Sequence, residues 1–82
     1  MSRRELDAEG LEALAEACFR TASLPDTTPI EAVHLLRRAN RFDGTNPKHA
    51  YLLARIYFVN GDLDSAGRWL REAARQLSRS FA

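Results

Sequence analysis

One cysteine is too few for an internal disulfide, so Cys18 excludes the cross-linked frameworks with which small secreted domains compensate for thin cores. The expected setting is cytoplasmic. Two histidines, His34 and His49, stand alone on different segments, and neither has companions at metal-ligand or catalytic spacing. The four glycines are scattered and build no phosphate-cradling loop. No paired nucleophile and base, no carboxylate dyad and no ligand set emerges, so the expectation is a non-enzyme without cofactor or metal. Long apolar runs are missing too: Arg55 splits the most hydrophobic stretch, residues 51–59, well short of the roughly 18 residues that span a bilayer. The first seven residues mix Arg3 and Arg4 with Glu5 and Asp7 and hold no apolar core, so neither a signal peptide nor a membrane partner is expected.

What the chain does have is helix-forming sequence. With 82 residues it supports a single domain, 1–82, and its 45% hydrophobic and 28% charged residues fit a soluble globular class over a disordered one. Leu11, Leu14, Ala15, Cys18 and Phe19 fall on one face of a helical period and predict helix 1 over about 6–22. Thr28, Pro29 and Glu31 form a cap, a first-turn proline and a capping-box acid that open helix 2, about 29–41, with Ile30, Ala32, Val33, Leu35, Leu36 and Ala39 apolar. Asn46 and Pro47 repeat that signature for helix 3, about 47–59, with Ala50, Leu53, Ala54, Ile56 and Tyr57 inward. Asn60 and Gly61 stop it. Asp62 caps helix 4, about 63–78, whose apolar positions are Leu63, Ala66, Trp69, Leu70, Ala73 and Leu77.

One constant offset along the chain carries Ala32 to Ala66, Leu35 to Trp69, Leu36 to Leu70, Arg37 to Arg71 and Ala39 to Ala73. With Leu53, Ala54, Tyr57, Gly61 and Asp62 between, residues 47–80 resemble one full tetratricopeptide repeat. The first unit, about 6–44, is irregular: placing Leu14, Ala15 and Cys18 on helix 3 needs a longer 23–28 turn than the family's regular unit has. Ala50 replaces the family's first large aromatic, and Ser80 stands near its late proline. The resemblance implies an all-α fold of four antiparallel helices, two stacked helix-turn-helix hairpins in a short right-handed solenoid. It also implies a concave groove, lined by the first helix of each unit, that docks a peptide or helix of another protein.

Groove positions on helix 3 would be Lys48, Tyr51, Leu52, Arg55, Phe58 and Val59, and helix 1 would add Glu12 and Glu16 beside Glu9. Tyr51, Arg55 and Phe58 share a helical face, and aromatics flanking an arginine suit an interface hot spot. The plain alternative is that Leu52 and Phe58 only pack on helix 1. The mixed charge argues against a uniformly basic clamp for a terminal carboxylate. Residues 1–31 carry seven acids against three bases, whereas 32–82 carry nine bases against four acids, an asymmetry suited to contact with a partner or another copy. The basic stripes Arg37, Arg38, Arg41 and Arg68, Arg71, Arg75, Arg79 read as solvated helix faces; with a net charge of +1 nucleic acid is not the expected partner. Trp69, Leu77 and Phe81 would form an uncovered edge on helix 4 that a second copy, another subunit or further sequence covers. The leading expectation is an adaptor, scaffold or small co-chaperone; the alternative is a homo- or hetero-oligomerisation domain using the helix 4 edge.

Overall fold

The computed structural model describes residues 8–80. Their regular structure consists of α1 (Ala8–Ala22), α2 (Pro29–Phe42), α3 (Pro47–Val59) and α4 (Leu63–Ser80), with no strand among the described residues. The chain is all-α. The starts of α2, α3 and α4 coincide with the predicted ones; α4 continues to Ser80, past the expected end at 78, and the expected beginning of helix 1 at residue 6 lies outside the described residues.

Local chemistry sets these boundaries. The hydroxyls of Thr21 and Ser23 donate back to the carbonyls of Ala17 and Phe19, and Thr27 donates to Thr21 O at 2.7 Å, tying off the last turn of α1. A reciprocal box opens α2: Glu31 N–H donates to Thr28 Oγ1 at 3.2 Å while Thr28 N–H donates to Glu31 Oε1 at 3.0 Å. Thr28 N–H, and after it the Thr28 hydroxyl that donates to the same oxygen at 2.8 Å, hold the Glu31 carboxyl below its ordinary range. Asn46 Oδ1 accepts from Lys48 N–H at 3.1 Å and, with Pro47 at the first position, starts α3. At its end Asp62 N–H donates to Tyr57 O and Gly61 N–H to Phe58 O, the paired bonds of a Schellman turn, with Gly61 at φ +86°. Asp62 then accepts from Ser65 N–H at 3.1 Å and begins α4.

Each helix packs extensively on its neighbour in sequence: α1 on α2, α2 on α3, α3 on α4. The result is a slab only 15 Å deep between Cα extremes, the depth of two helix layers. Alanines at Ala15, Ala32, Ala39, Ala50, Ala54, Ala66 and Ala73 are buried and let backbones approach closely. Leu36 and Leu53 meet at the centre, ringed by Phe19, Leu35, Leu52, Ile56, Tyr57 and Trp69. Two buried residues are polar. Gln76 Nε2 donates to Asn40 Oδ1 and to Glu72 Oε2, each at 2.8 Å, linking α4 to α2.

Several residues expected inside are exposed instead: Leu14, Ile30, Leu63, Leu70 and Leu77. Ile30 and Leu63 sit in the first turns of their helices, beside turn residues that are themselves exposed. Leu70 and Leu77 have a different reason, since they belong to a face that nothing covers. None of the described helices is long and apolar enough to cross a membrane.

Candidate functional site

Positions two turns apart on a helix nearly superimpose in direction, so Tyr51 and Phe58 line one side of α3 and Leu70 and Leu77 one side of α4. All four are exposed, Phe58 to 65%. The two rows face the same way across the α3/α4 seam. One cleft of about 380 Å3 lies among Tyr51, Ala54, Phe58 and Leu70, and a second of about 430 Å3 among Pro47, Tyr51, Leu70, Ala73 and Leu77. Tyr51 and Leu70 belong to both, so the two form one apolar trough, with Lys48, Arg55 and Val59 on its α3 margin.

The residues predicted from sequence divide across this geometry. Lys48 turns toward α1: its Nζ pairs with Glu16 Oε1 and stands 4.4 Å from the centre of the Phe19 ring. Hydrogen bonding to Lys48 is the main cause that lowers the Glu16 carboxyl below its ordinary value, and Arg20 adds to it at 3.5 Å. Arg55 and Glu12 are exposed, and neither forms an ion pair among the described residues. Leu52 packs against the core cluster of Ala22, Ala32, Leu36 and Leu53, whereas Phe58 is exposed. Val59 is exposed at the end of the trough.

The residues expected at the helix 4 edge separate in the structure. Trp69 packs against the core on the α2 side, beside Arg37, Tyr57 and Arg68 in a separate cleft of about 490 Å3, because one step along a helix swings the side chain more than a quarter-turn round the axis. Leu70 takes the edge position in its place, together with the expected Leu77. Phe81 lies outside the described residues. Tyr51 and Phe58 of the groove set and Leu77 of the edge set, expected on different surfaces, therefore share one face with Leu70, which neither set contained.

His49 is the residue that sequence reasoning missed. It is buried at the first turn of α3, its ring set edge-on to Phe19 with centroids 5.5 Å apart. Among the described residues neither ring nitrogen has a hydrogen-bond partner, and Asp43 Oδ2 is 3.9 Å from Nε2. Burial pushes the imidazole below its ordinary value, with Asp43 pulling the other way. His49 and Lys48 together cap Phe19 and so seat α3 on α1.

Comparing equivalent positions in the two halves of the chain locates what is missing at the trough. Leu36 is 0% exposed, whereas its counterpart in the second half, Leu70, is 49% exposed. The first and third helices also correspond, Ala8 to Pro47 and Ala15 to Ala54, and the same offset carries the half-buried Phe19 to the exposed Phe58. In both cases α3 covers the first residue and nothing covers the second. No family model, curated protein or solved structure matches the chain.

Proposed function

We propose that this chain is a non-catalytic protein-interaction module of tetratricopeptide type, acting in the cytoplasm, whose α3/α4 trough receives a helix from a partner. The observation that carries the reading is the contrast between Leu36 and Leu70: the position that α3 buries completely in the first half of the chain stands half open in the second. An apolar trough flanked by Tyr51, Phe58, Leu70 and Leu77 supplies hydrophobic anchors, and Tyr51 and Arg55 are of residue types enriched among interface hot spots. A helix suits the trough better than an extended strand. The trough runs along two helices, offers no sheet edge for β-addition, and needs anchors repeating at i, i+3, i+4 and i+7.

The test is capture of partners from source lysate, after nuclease treatment, by wild-type chain, by Leu70→Glu and by Tyr51→Ala with Arg55→Glu. Leu24→Glu, at an exposed turn residue away from the trough, serves as the control. Partners lost in both trough variants and kept by the control support the reading. Identical recovery by all four proteins overturns it. The reading in which the face serves oligomerisation gains from one specific observation: Leu77, expected at an assembly edge, lies in the same trough as the groove residues.

A further inference from the structure

The uncovered face at one end of the fold has a complement at the other. When α1 is laid on α3 by the correspondence above, Leu14 falls on Leu53, and while Leu53 is 0% exposed against the preceding helices, Leu14 is 41% exposed on α1. Leu14 on α1 and Leu70 beside the α3/α4 trough are both exposed, whereas the positions that the two offsets relate to them, Leu53 and Leu36, are fully buried. Resting on the interaction-module reading above, we propose that the helix received by the α3/α4 trough is α1 of a second copy of this chain, so that copies join head to tail.

The charges support this occupant in detail. Inside the chain, α3 is held to α1 by Lys48 on Glu16. In the correspondence of α1 with α3, Arg55 takes the place of Glu16 and Glu9 the place of Lys48. The junction between copies therefore sets Arg55 of one against Glu9 of the next, the same ion pair with its polarity reversed. Both residues are exposed and neither makes an ion pair among the described residues. The wider distribution agrees, because the acidic excess of residues 1–31 meets the basic excess of 32–82 only when unlike ends join.

A symmetric dimer, trough against trough, is disfavoured by the same charges. It would bring Arg55, on the trough margin of each copy, toward its own duplicate, and like charges across an interface oppose pairing. Head-to-tail contact is heterologous and leaves a free end on every assembly, so growth does not stop at two. The junction is weaker than the internal one. Where α3 fills the seam with Leu52 and Ile56, α1 offers Ala13 and Ala17 at the corresponding positions, so less apolar area is buried. Association in the micromolar range or weaker follows from so small a contact.

Sedimentation over a wide concentration range tests the proposal with the whole chain. Wild type should show a weight-average mass that rises past that of a dimer as concentration increases. Leu14→Glu and Leu70→Glu should each weaken association about 100-fold or more, since each places an unpaired carboxylate in every junction. Both sites are exposed in the monomer, and circular dichroism verifies folding. The decisive arm mixes the two variants: the intact trough of Leu14→Glu accepts the intact α1 of Leu70→Glu, giving a dimer that grows no further. A symmetric dimer predicts the opposite, with Leu14→Glu still self-associating and no gain on mixing. Glu9→Arg and Arg55→Glu should each weaken assembly several-fold, and combining them in one chain should restore it.

Wild type that stays monomeric to near-millimolar concentration, or a mixture that stays monomeric, overturns the proposal. If Leu70→Glu nevertheless loses a lysate partner, the trough still works and its occupant is a foreign helix. If Leu70→Glu alters neither property, the interaction-module reading falls as well.

Discussion

Leu36→Ala and Leu70→Ala make the same chemical change at equivalent positions of the two halves, with opposite burial. At Leu36, 0% exposed, the change removes a fully buried side chain and leaves a cavity, and comparable interior substitutions cost about 2.7–5 kcal/mol. Leu70 is 49% exposed, so roughly half of the ~2.4 kcal/mol attached to three methylene equivalents is available to lose, and open solvent leaves no cavity. The expected cost is about 1 kcal/mol. For a domain of this size each kcal/mol moves the melting temperature by about 4–8 °C, so Leu36→Ala should melt about 10 °C or more below Leu70→Ala. Urea and thermal unfolding followed by far-ultraviolet circular dichroism on dilute protein measures both. Repeating the melts at high concentration adds a second readout, because covering the trough makes the Leu70→Ala penalty grow while that of Leu36→Ala stays constant. Equal costs in dilute solution would refute the contrast from which the trough was argued.

Thr28→Ala removes the hydroxyl half of the α2 capping box while leaving the backbone N–H that donates to Glu31, and should destabilise by about 1 kcal/mol in denaturant titrations, with Thr28→Ser recovering most of it. At Gly61 an added Cβ meets nothing within 4 Å, so Gly61→Ala should cost only the left-handed backbone strain, about 1 kcal/mol; a loss several times larger would mean that the turn after α3 is crowded. His49 makes stability acid-sensitive. Its folded value lies below the ordinary 6.5, so the unfolded chain binds the proton more readily, and stability that is complete above 6.5 declines as pH falls toward the lower folded value. Melting temperatures recorded from about pH 7.5 to about pH 5.5 should fall in wild type and stay flatter in His49→Gln. The carboxyls of Glu16 and Glu31, lowered from 4.5, withdraw their contribution only in more acidic solution.

Helix positions were legible because each boundary is written in local chemistry. Thr28 with Glu31, Asn46 with Pro47, and Gly61 with Asp62 act within a few residues, so no tertiary knowledge is needed to read them. The alanine interior was equally accessible, since Ala32, Ala39, Ala54 and Ala66 fall on periodic stripes and are buried. The working face was harder. Periodicity gives the direction of a side chain about its own helix axis, but not which neighbour stands in that direction. Trp69 and Leu70 both belong to the apolar stripe of α4, yet α2 lies on one flank and open solvent on the other. His49 was illegible for a related reason: its burial depends on Phe19, two helices earlier on α1, and polar residues carry no periodic signal of their own.

Among the described residues every extensive helix contact joins elements adjacent along the chain. No helix has to wait for a distant segment before it finds its main support, so the loop-closure entropy paid at each step is small and the folding reaction is expected to be fast. During synthesis α1 and α2 can pair while α3 is still emerging, and each later helix meets a surface already in place. A slab assembled in this order forms the α3/α4 trough only after α1 and α2 have paired and α3 has packed on them.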